Sequence, residues 1–240
     1  MQSPIRTARI AGFIYLTIIF TGFFYLLYVP GEIIEWSDAE KTVENLQLNT
    51  SLYTAGIICG LICFTAFAIL SLVLYKLLNH INKDMASLMV VLVLLSVPIS
   101  FVTLIEQINV LSIINTERFV DLLSASQLQS EVMIKLKGIS NAILIAQIFW
   151  GLWLLPFGYL VYHSKFIPKL LGVLLFIGCF GYLSDSIGYT LFPGFGDTWL
   201  STIIGIPSGL GEIGICLWFL IRGVKQKPDS NQDETISEIG

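Results

Sequence analysis

The chain has 240 residues, of which 55% are hydrophobic and 12% are charged, and its formal net charge is −4 at pH 7. Because soluble domains carry about 25% charged residues, this composition and a mean hydropathy of +0.80 exclude an ordinary soluble protein. No cluster of Lys and Arg indicates nucleic-acid binding. The principal predicted partner is therefore the lipid bilayer.

Six apolar runs are long enough to cross a hydrocarbon core, which takes about 20 helical residues. Each run is continuous rather than alternating, so helices are favoured over the strands of a barrel. We expect an all-α integral membrane bundle of six transmembrane helices, forming a single domain over residues 1–225. The predicted spans cover residues 10–29, 52–75, 85–105, 138–162, 170–192 and 200–221.

The basic residues predict the orientation of this bundle. Nine of the 13 Lys and Arg residues fall on one side of the predicted spans. The positive-inside rule places that side, and with it both termini, in the cytoplasm. The nine residues are Arg6, Arg9, Lys76, Lys83, Lys165, Lys169, Arg222, Lys225 and Lys227.

Three segments outside the spans have their own patterns. In the outer segment 30–51, Ser37-Asp38-Ala39-Glu40 fits a capping box and predicts a short surface helix. The outer segment 115–137 mixes apolar and polar residues, which predicts an amphipathic helix or a helical extension of the fourth span. The acidic tail, 226–240, is predicted to be disordered.

Small residues predict where helices approach closely. Gly56 and Gly60 in the second span, and Gly205 and Gly209 in the sixth, have the Gly-xxx-Gly spacing found at such contacts. Prolines at 98, 156 and 207 predict kinks. The glycines and the proline of 205–212 lie beside an acid, a pattern that suits either plain packing or the interrupted helices of transporter sites.

Two acids lie inside apolar runs, Asp185 in the fifth span and Glu212 in the sixth. An ionised carboxylate at the bilayer centre costs roughly 2.5 to 3.5 kcal/mol, so each acid is a candidate functional residue. At 1.5 Å per residue, Asp185 lies about 8 Å and Glu212 about 18 Å below the outer boundary. The two acids are therefore expected about 10 Å apart in depth.

The candidate polar site on the fifth and sixth helices comprises Asp185, Glu212, Tyr189, Ser208 and Asn141. Tyr189 and Asn141 are expected near the level of Asp185, and Ser208 lies one turn from Glu212. The alternative is that each acid is a hydrogen-bonded packing element. Further polar residues at similar depth are Tyr182, Ser186 and Lys137 for Asp185, and Gln147 and Trp150 for Glu212.

Other chemistries lack the residues that they need. His80 and His163 lie at predicted helix ends, which argues against an intramembrane haem or a His-rich zinc site. No Gly-x-Ser-x-Gly, His-Glu-x-x-His or phosphate-binding loop occurs in the sequence. No catalytic residue, metal or cofactor is predicted.

Several short motifs stand out along the chain. They are Ala8-Arg9-Ile10-Ala11-Gly12 with Tyr15, Phe166-Ile167-Pro168-Lys169-Leu170-Leu171-Gly172, Gly181-Tyr182-Leu183-Ser184-Asp185-Ser186, and Gly211-Glu212 with Trp218. Together they resemble a known family of bacterial membrane proteins, the domain of unknown function 4386. The resemblance covers nearly the whole chain and implies a six-helix protein of the bacterial inner membrane, but it implies no reaction or ligand.

Three functions of different classes fit the sequence. The first is binding or movement of a small solute, a proton or a lipid-like molecule at the acids of the fifth and sixth helices. The second is a structural or regulatory membrane protein whose outer segment 32–44 or acidic tail engages a protein partner. The third is an intramembrane enzyme that uses its carboxylates as acid and base, which the depth separation disfavours.

Overall fold

The computed structural model describes residues 4–115, 123–192 and 194–223, and no strand occurs within them. The prediction of an all-α protein is confirmed. Five helical stretches of the described chain are long and apolar enough to cross a membrane, which indicates a multipass membrane protein. These stretches are Pro4–Ile33, Thr50–Leu78, Lys83–Asn115, Ala125–His163 and Lys169–Leu191.

Several of the long stretches are divided, as is the predicted sixth span. In chain order the helices are α1 (Pro4–Phe23), a π-helical segment (Phe24–Tyr28), α2 (Val29–Ile33), α3 (Ala39–Leu48), α4 (Thr50–Leu78), α5 (Lys83–Asn115), α6 (Ala125–Leu152), α7 (Leu154–His163), α8 (Lys169–Leu191), a 3-10 turn (Phe195–Asp197), α9 (Trp199–Ile204) and α10 (Ile206–Ile221).

The predicted surface helix is present as α3. Its cap is Asp38, one residue after the predicted position, and the Asp38 side chain accepts a hydrogen bond of 2.9 Å from the Lys41 backbone N–H. Helix α6 begins with a capping box between Ser124 and Gln127, so the fourth span has the predicted helical extension. Residues 116–122 of the same segment, and the tail 226–240, lie outside the described residues.

The three prolines act differently. Helix α5 runs through Pro98 without a break, whereas the helices stop at Trp153 and at Gly205, just before the other two prolines. A proline lacks the N–H that would bond to the carbonyl four residues earlier, so each break lies where that bond is missing. The predicted sixth span is thus two helices, α9 and α10, of which α10 has only 16 residues.

The helix ends that carry most cations lie together at one end of the bundle, which we call the basic end. There the His80 ring stacks on Phe166 with ring centroids 6.3 Å apart, and Trp218 Nε1 donates a hydrogen bond of 3.0 Å to the Phe166 carbonyl. At the opposite, acidic end, Lys135 Nζ lies 3.2 Å from Glu106 Oε2. The basic and the acidic connections therefore lie at opposite ends of the bundle.

Two buried clusters fill the bundle. One, around Trp153, Phe157 and Phe219, lies toward the basic end, and the other, around Tyr25 and Phe64, lies toward the acidic end. Large apolar side chains also cover the outside, as expected for a surface that faces lipid. Examples are Phe13, Phe20, Ile105, Phe180 and Leu210, each more than half exposed.

Of the two predicted Gly-xxx-Gly contacts, one is present in the structure and one is not. A Cβ added at Gly60 would lie 2.8 Å from the Tyr25 ring, and one at Gly56 would lie 3.1 Å from the nearest side chain, so both glycines permit close helix packing. The prediction for Gly205 and Gly209 was wrong, because nothing lies within 4 Å of a Cβ added at either position. The contacts of α10 lie on another of its faces.

Candidate functional site

Glu212 points into the bundle between two neighbouring helices. Around the axis of α10, Gly211 and Ser208 face α8, while Cys216 and Leu220 face α1. With 100° between successive residues, the direction of Glu212 falls between these two faces. The carboxyl group therefore enters the bundle interior rather than the lipid-facing surface.

Tyr15 of α1 holds this carboxyl group. Its side chain is 1% exposed, and its hydroxyl donates a hydrogen bond of 2.9 Å to Glu212 Oε2. Ala8, Ala11 and Gly12 share the buried face of α1 with Tyr15, and these small residues let α1 approach α10 closely. This bond fixes the orientation of the carboxyl group.

Two further side chains complete the polar group around Glu212. Ser208 is 3% exposed, and its hydroxyl donates a hydrogen bond of 2.7 Å to the Gly205 carbonyl. The Ser208 side chain also interacts with the Tyr182 hydroxyl. Tyr182 also interacts electrostatically with Glu212 and Tyr15. We call these four residues the Glu212 cluster.

The members of the cluster differ in burial. Glu212 and Tyr182 are partly buried, whereas Tyr15 and Ser208 are almost completely buried. A polar group enclosed by helices needs hydrogen-bond partners, and Tyr15 supplies one to Glu212.

Asp185 does not join this cluster. Helices α8 and α10 pack so that Gly178 faces Ser208, with a Cβ at Gly178 lying only 2.7 Å from the Ser208 Cα. On that alignment Glu212 is level with about residue 174 of α8, which places Asp185 about 16 Å further along the axis. The separation is larger than the predicted depth difference of about 10 Å.

Asp185 instead lies on the face of α8 that packs against α9. A Cβ at Gly181, one turn before Asp185, would contact the Ile204 carbonyl of α9. The Asp185 Oδ1 is buried, and no described residue provides it with a hydrogen-bond partner. Tyr182 lies between the two acids and interacts electrostatically with both.

The two remaining predicted site residues lie near the acidic end. Tyr189 is exposed at the end of α8, where its ring contacts Phe195 with centroids 5.6 Å apart. Asn141 is exposed on α6. Since the Ser186 hydroxyl donates to the Leu144 carbonyl, Asn141 is about level with Tyr189, beyond Asp185. Neither is part of the Glu212 cluster.

The sequence analysis therefore found two members of the cluster and missed the role of two others. Tyr15 entered only as a family motif, although its spacing from Ala8, Ala11 and Gly12 by seven, four and three residues marks one helix face. Tyr182 was assigned to Asp185 alone. Within the described residues, no group of three or more His, Cys, Asp or Glu side chains could hold a metal ion.

Comparison with known proteins places these residues in a family. A family model described as "Domain of unknown function (DUF4386)" matches residues 10–223, a segment that contains all four members of the Glu212 cluster. The chain belongs to the DUF4386 family. The family predicted from the sequence motifs is therefore confirmed.

One relative of this DUF4386 protein is an "Uncharacterized protein" of Archaeoglobus fulgidus. It is 36% identical over 81 residues, which is 34% of this chain and 46% of the relative. The match thus spans about half the length of that relative. No solved structure matches the DUF4386 chain.

Proposed function

We propose that this DUF4386 protein binds a small cationic or hydrogen-bond-donating solute at the Glu212 cluster and moves it across the membrane, with a proton occupying Glu212 when the solute is absent. The observation that carries the proposal is the inward-pointing Glu212 carboxyl group, which accepts a hydrogen bond of 2.9 Å from the buried Tyr15 hydroxyl. The Glu212 carboxylate and the Ser208 oxygen are acceptors, so they suit a ligand that donates hydrogen bonds.

The interrupted helix beside the cluster supports a transport role. Helices α9 and α10 are separated at Gly205, one turn from Ser208. Discontinuous helices near the bilayer centre are typical of transporter sites, because unwound backbone is tolerated there only where it is buried or lines a cavity. Gly205 is exposed and nothing lies within 4 Å of a Cβ added there, whereas the neighbouring Ile204 carbonyl packs closely against α8.

We further propose that α9 and α10 together make a sixth crossing. Residues 199–221 span about 34 Å at 1.5 Å per residue, enough for a hydrocarbon core of about 30 Å. Both termini then lie at the basic end, which the positive-inside rule places in the cytoplasm of a bacterial cell, with the bundle in the inner membrane. Residues 1–225 form one domain, and 226–240 is a separate tail.

Transport is tested with purified full-length protein in liposomes. The probes are protons, followed with a trapped pH-sensitive dye, and radiolabelled guanidinium, a permanent cation with planar donors. We expect the protein to accelerate at least one flux above that of protein-free liposomes, and Glu212→Gln to lower the protein-dependent rate at least tenfold. Asp84→Asn, which alters an exposed acid at the start of α5, is the matched control and should stay within twofold.

Equal rates of both probes for the wild type and Glu212→Gln would contradict this function. An enzyme built on the two acids is not favoured, because paired carboxyl groups of glycoside hydrolases, for comparison, lie about 5 to 9.5 Å apart. The axial separation of Asp185 and Glu212 is about 16 Å. No specific contact favours the partner-binding hypothesis, since α3 in the outer segment packs against α5 and α6.

A further inference from the structure

A stripe of polar side chains runs along the buried face of α5, remote in the fold from the Glu212 cluster. Its members follow the helical spacing of one face, with intervals of four, three and four residues. We call it the α5 polar stripe. Its members and their exposed fractions are Ser96 (0%), Ser100 (1%), Thr103 (0%) and Gln107 (7%).

The three hydroxyl groups of the stripe are satisfied by their own helix. Ser96, Ser100 and Thr103 each donate a hydrogen bond to a backbone carbonyl three or four residues earlier. Thr103 Oγ1 also lies 2.6 Å from the Tyr25 hydroxyl. Because the Thr103 proton already goes to the Ser100 carbonyl, Tyr25 must be the donor, and the Tyr25 oxygen keeps its acceptor capacity.

At the end of the α5 polar stripe nearest the acidic end, two buried polar atoms lack a hydrogen-bond partner among the described residues. The Gln107 Oε1 and the Tyr53 hydroxyl are both buried, and no described residue forms a hydrogen bond with either. Tyr53 is 3% exposed, so both side chains are more than nine-tenths buried. Buried polar atoms are seldom left without partners, and an ordered water is a common reason when a partner is not protein.

The two unsatisfied groups occupy the same region of the bundle. Gly60 of α4 packs against Leu104 of α5 and against the Tyr25 ring, which aligns these helices. On that alignment Gln107 of α5 lies opposite about residue 57 of α4. Along the bundle axis, Gln107 is therefore between Tyr53 and the hydrogen bond that joins Tyr25 to Thr103. The Tyr53 hydroxyl is also close enough to that of Tyr25 to interact with it electrostatically.

The backbone of the first span is widened beside this region. Residues Phe24–Tyr28 form a π-helical segment, in which the Val29 N–H donates to the Phe24 carbonyl five residues earlier. Such single π-turns are rare and frequently accompany functional sites. Here the π-turn contains Tyr25, the residue that joins the first span to the α5 polar stripe.

We propose that a buried water molecule binds between Tyr53 and Gln107. It accepts a hydrogen bond from the Tyr53 hydroxyl and donates one to Gln107 Oε1, which satisfies both groups. The nearest acid along α5, Glu106, already pairs with Lys135, so the site has no free charge to neutralise and takes a neutral ligand of the size of water. This hydrated site does not depend on the transport function proposed for Glu212.

The sign of a stability change tests the proposal. If water bridges the two groups, Tyr53→Phe and Gln107→Met each break a satisfied network, and each should lower the melting temperature of the full-length protein in detergent by about 2 to 4 °C. The double variant should lose less than the sum, because both changes remove the same bridge. Tyr28→Phe on the exposed side of the π-segment and Gln47→Met on α3 are matched controls.

An unchanged or higher melting temperature in both single variants would overturn the proposal, because removing an unsatisfied polar group from a dry site is not destabilising. X-ray hydroxyl-radical footprinting gives a direct second measurement, since a bound water next to Tyr53 produces the radical there. We expect Tyr53 to be oxidised faster than Phe219, which is 0% exposed in an apolar cluster. Oxidation of Tyr53 no faster than that of Phe219 would overturn the proposal.

Discussion

The bond between Tyr15 and Glu212 joins the first and last long helices of the described chain. It connects residues 197 positions apart, so it forms only after the bundle has closed. A tyrosine is a suitable donor for a membrane-embedded carboxyl group because its ring packs among apolar side chains while its hydroxyl reaches the acid. The same bond therefore contributes to packing and fixes the orientation of the proposed site.

Removal of this donor should destabilise the protein. Tyr15→Phe leaves the carboxyl oxygen without its partner, at a cost of about 1 to 3 kcal/mol. We expect the melting temperature in detergent to fall by about 3 to 8 °C. A double-mutant cycle with Glu212→Gln measures the coupling, and a coupling energy near zero would show that the two side chains do not depend on each other.

Asp185 should respond in the opposite direction. Its Oδ1 is buried and has no hydrogen-bond partner among the described residues, so the acid contributes little hydrogen-bonding energy to the fold. Asp185→Asn removes a charge that is costly in lipid, and we expect the melting temperature to stay the same or to rise by about 2 to 4 °C. A fall of several degrees would instead indicate that Asp185 holds an ion or a partner that the protein binds in the membrane.

At the residue scale, the sequence marks side chains whose polarity contrasts with their surroundings. Glu212 and Ser208 stand out inside an apolar run, and their role as a site stays a prediction. Tyr15 does not stand out, because tyrosines are common in membrane helices and only its face relative to small residues marks it. The predicted depth difference between the acids was too small because it placed the outer ends of the fifth and sixth spans at one level, whereas Ile204 already lies beside Gly181.

At the scale of elements, the contact between α8 and α10 fixes the position of the Glu212 cluster. Gly178 lies directly against the backbone of Ser208, and Gly211 packs on the side chains of α8. These close approaches leave no space for a Cβ at Gly178 without movement of one helix. The site thus depends on a residue that carries no functional group.

A matched pair of glycine variants tests this dependence. Gly178→Ala places a Cβ 2.7 Å from the Ser208 Cα, so α10 must shift, and we expect the melting temperature to fall by about 5 °C or more together with the flux. Gly209→Ala is the control, because nothing lies within 4 Å of its added Cβ. Alanine favours helix over glycine by roughly 1 kcal/mol, so the control should be neutral or stabilising.

If Gly178→Ala retained wild-type stability and flux, the close contact between α8 and α10 would not be important for the site.

Helix continuity is the element-scale feature that the sequence did not determine. The pattern around Pro98 and that around Pro207 both predicted a kink, yet only the second accompanies a break. The local sequence favours the break at the second site, because Pro207 follows Gly205 by two residues.

At the scale of the whole molecule, hydropathy predicted most of the fold. The apolar runs all coincide with helices, since a 20-residue apolar run has few alternatives to a helix in lipid. The short helix α3 followed from its capping residues. Hydropathy did not determine the number of membrane crossings, because the last apolar run is divided into two short helices.

Orientation in the membrane is tested by labelling from outside. Single substitutions Asp84→Cys at the basic end and Ser126→Cys at the acidic end lie on exposed positions of opposite helix ends. With a membrane-impermeant maleimide added to intact cells, we expect only the Ser126 variant to react. The native cysteines lie inside apolar helices, so the unmodified protein is the control. Labelling of Asp84→Cys from outside would reverse the proposed topology.

The π-segment has a consequence for insertions and deletions during evolution. A π-turn holds about one residue more than an α-turn, and each α-helical residue contributes about 100° of rotation. Deletion of Phe24 would rotate α1, which carries Tyr15, relative to Tyr25 in the π-helical segment. Tyr15 could then meet Glu212, or Tyr25 could meet Thr103, but not both. Descendants that shorten this spacing must recruit a new donor for one of the two partners.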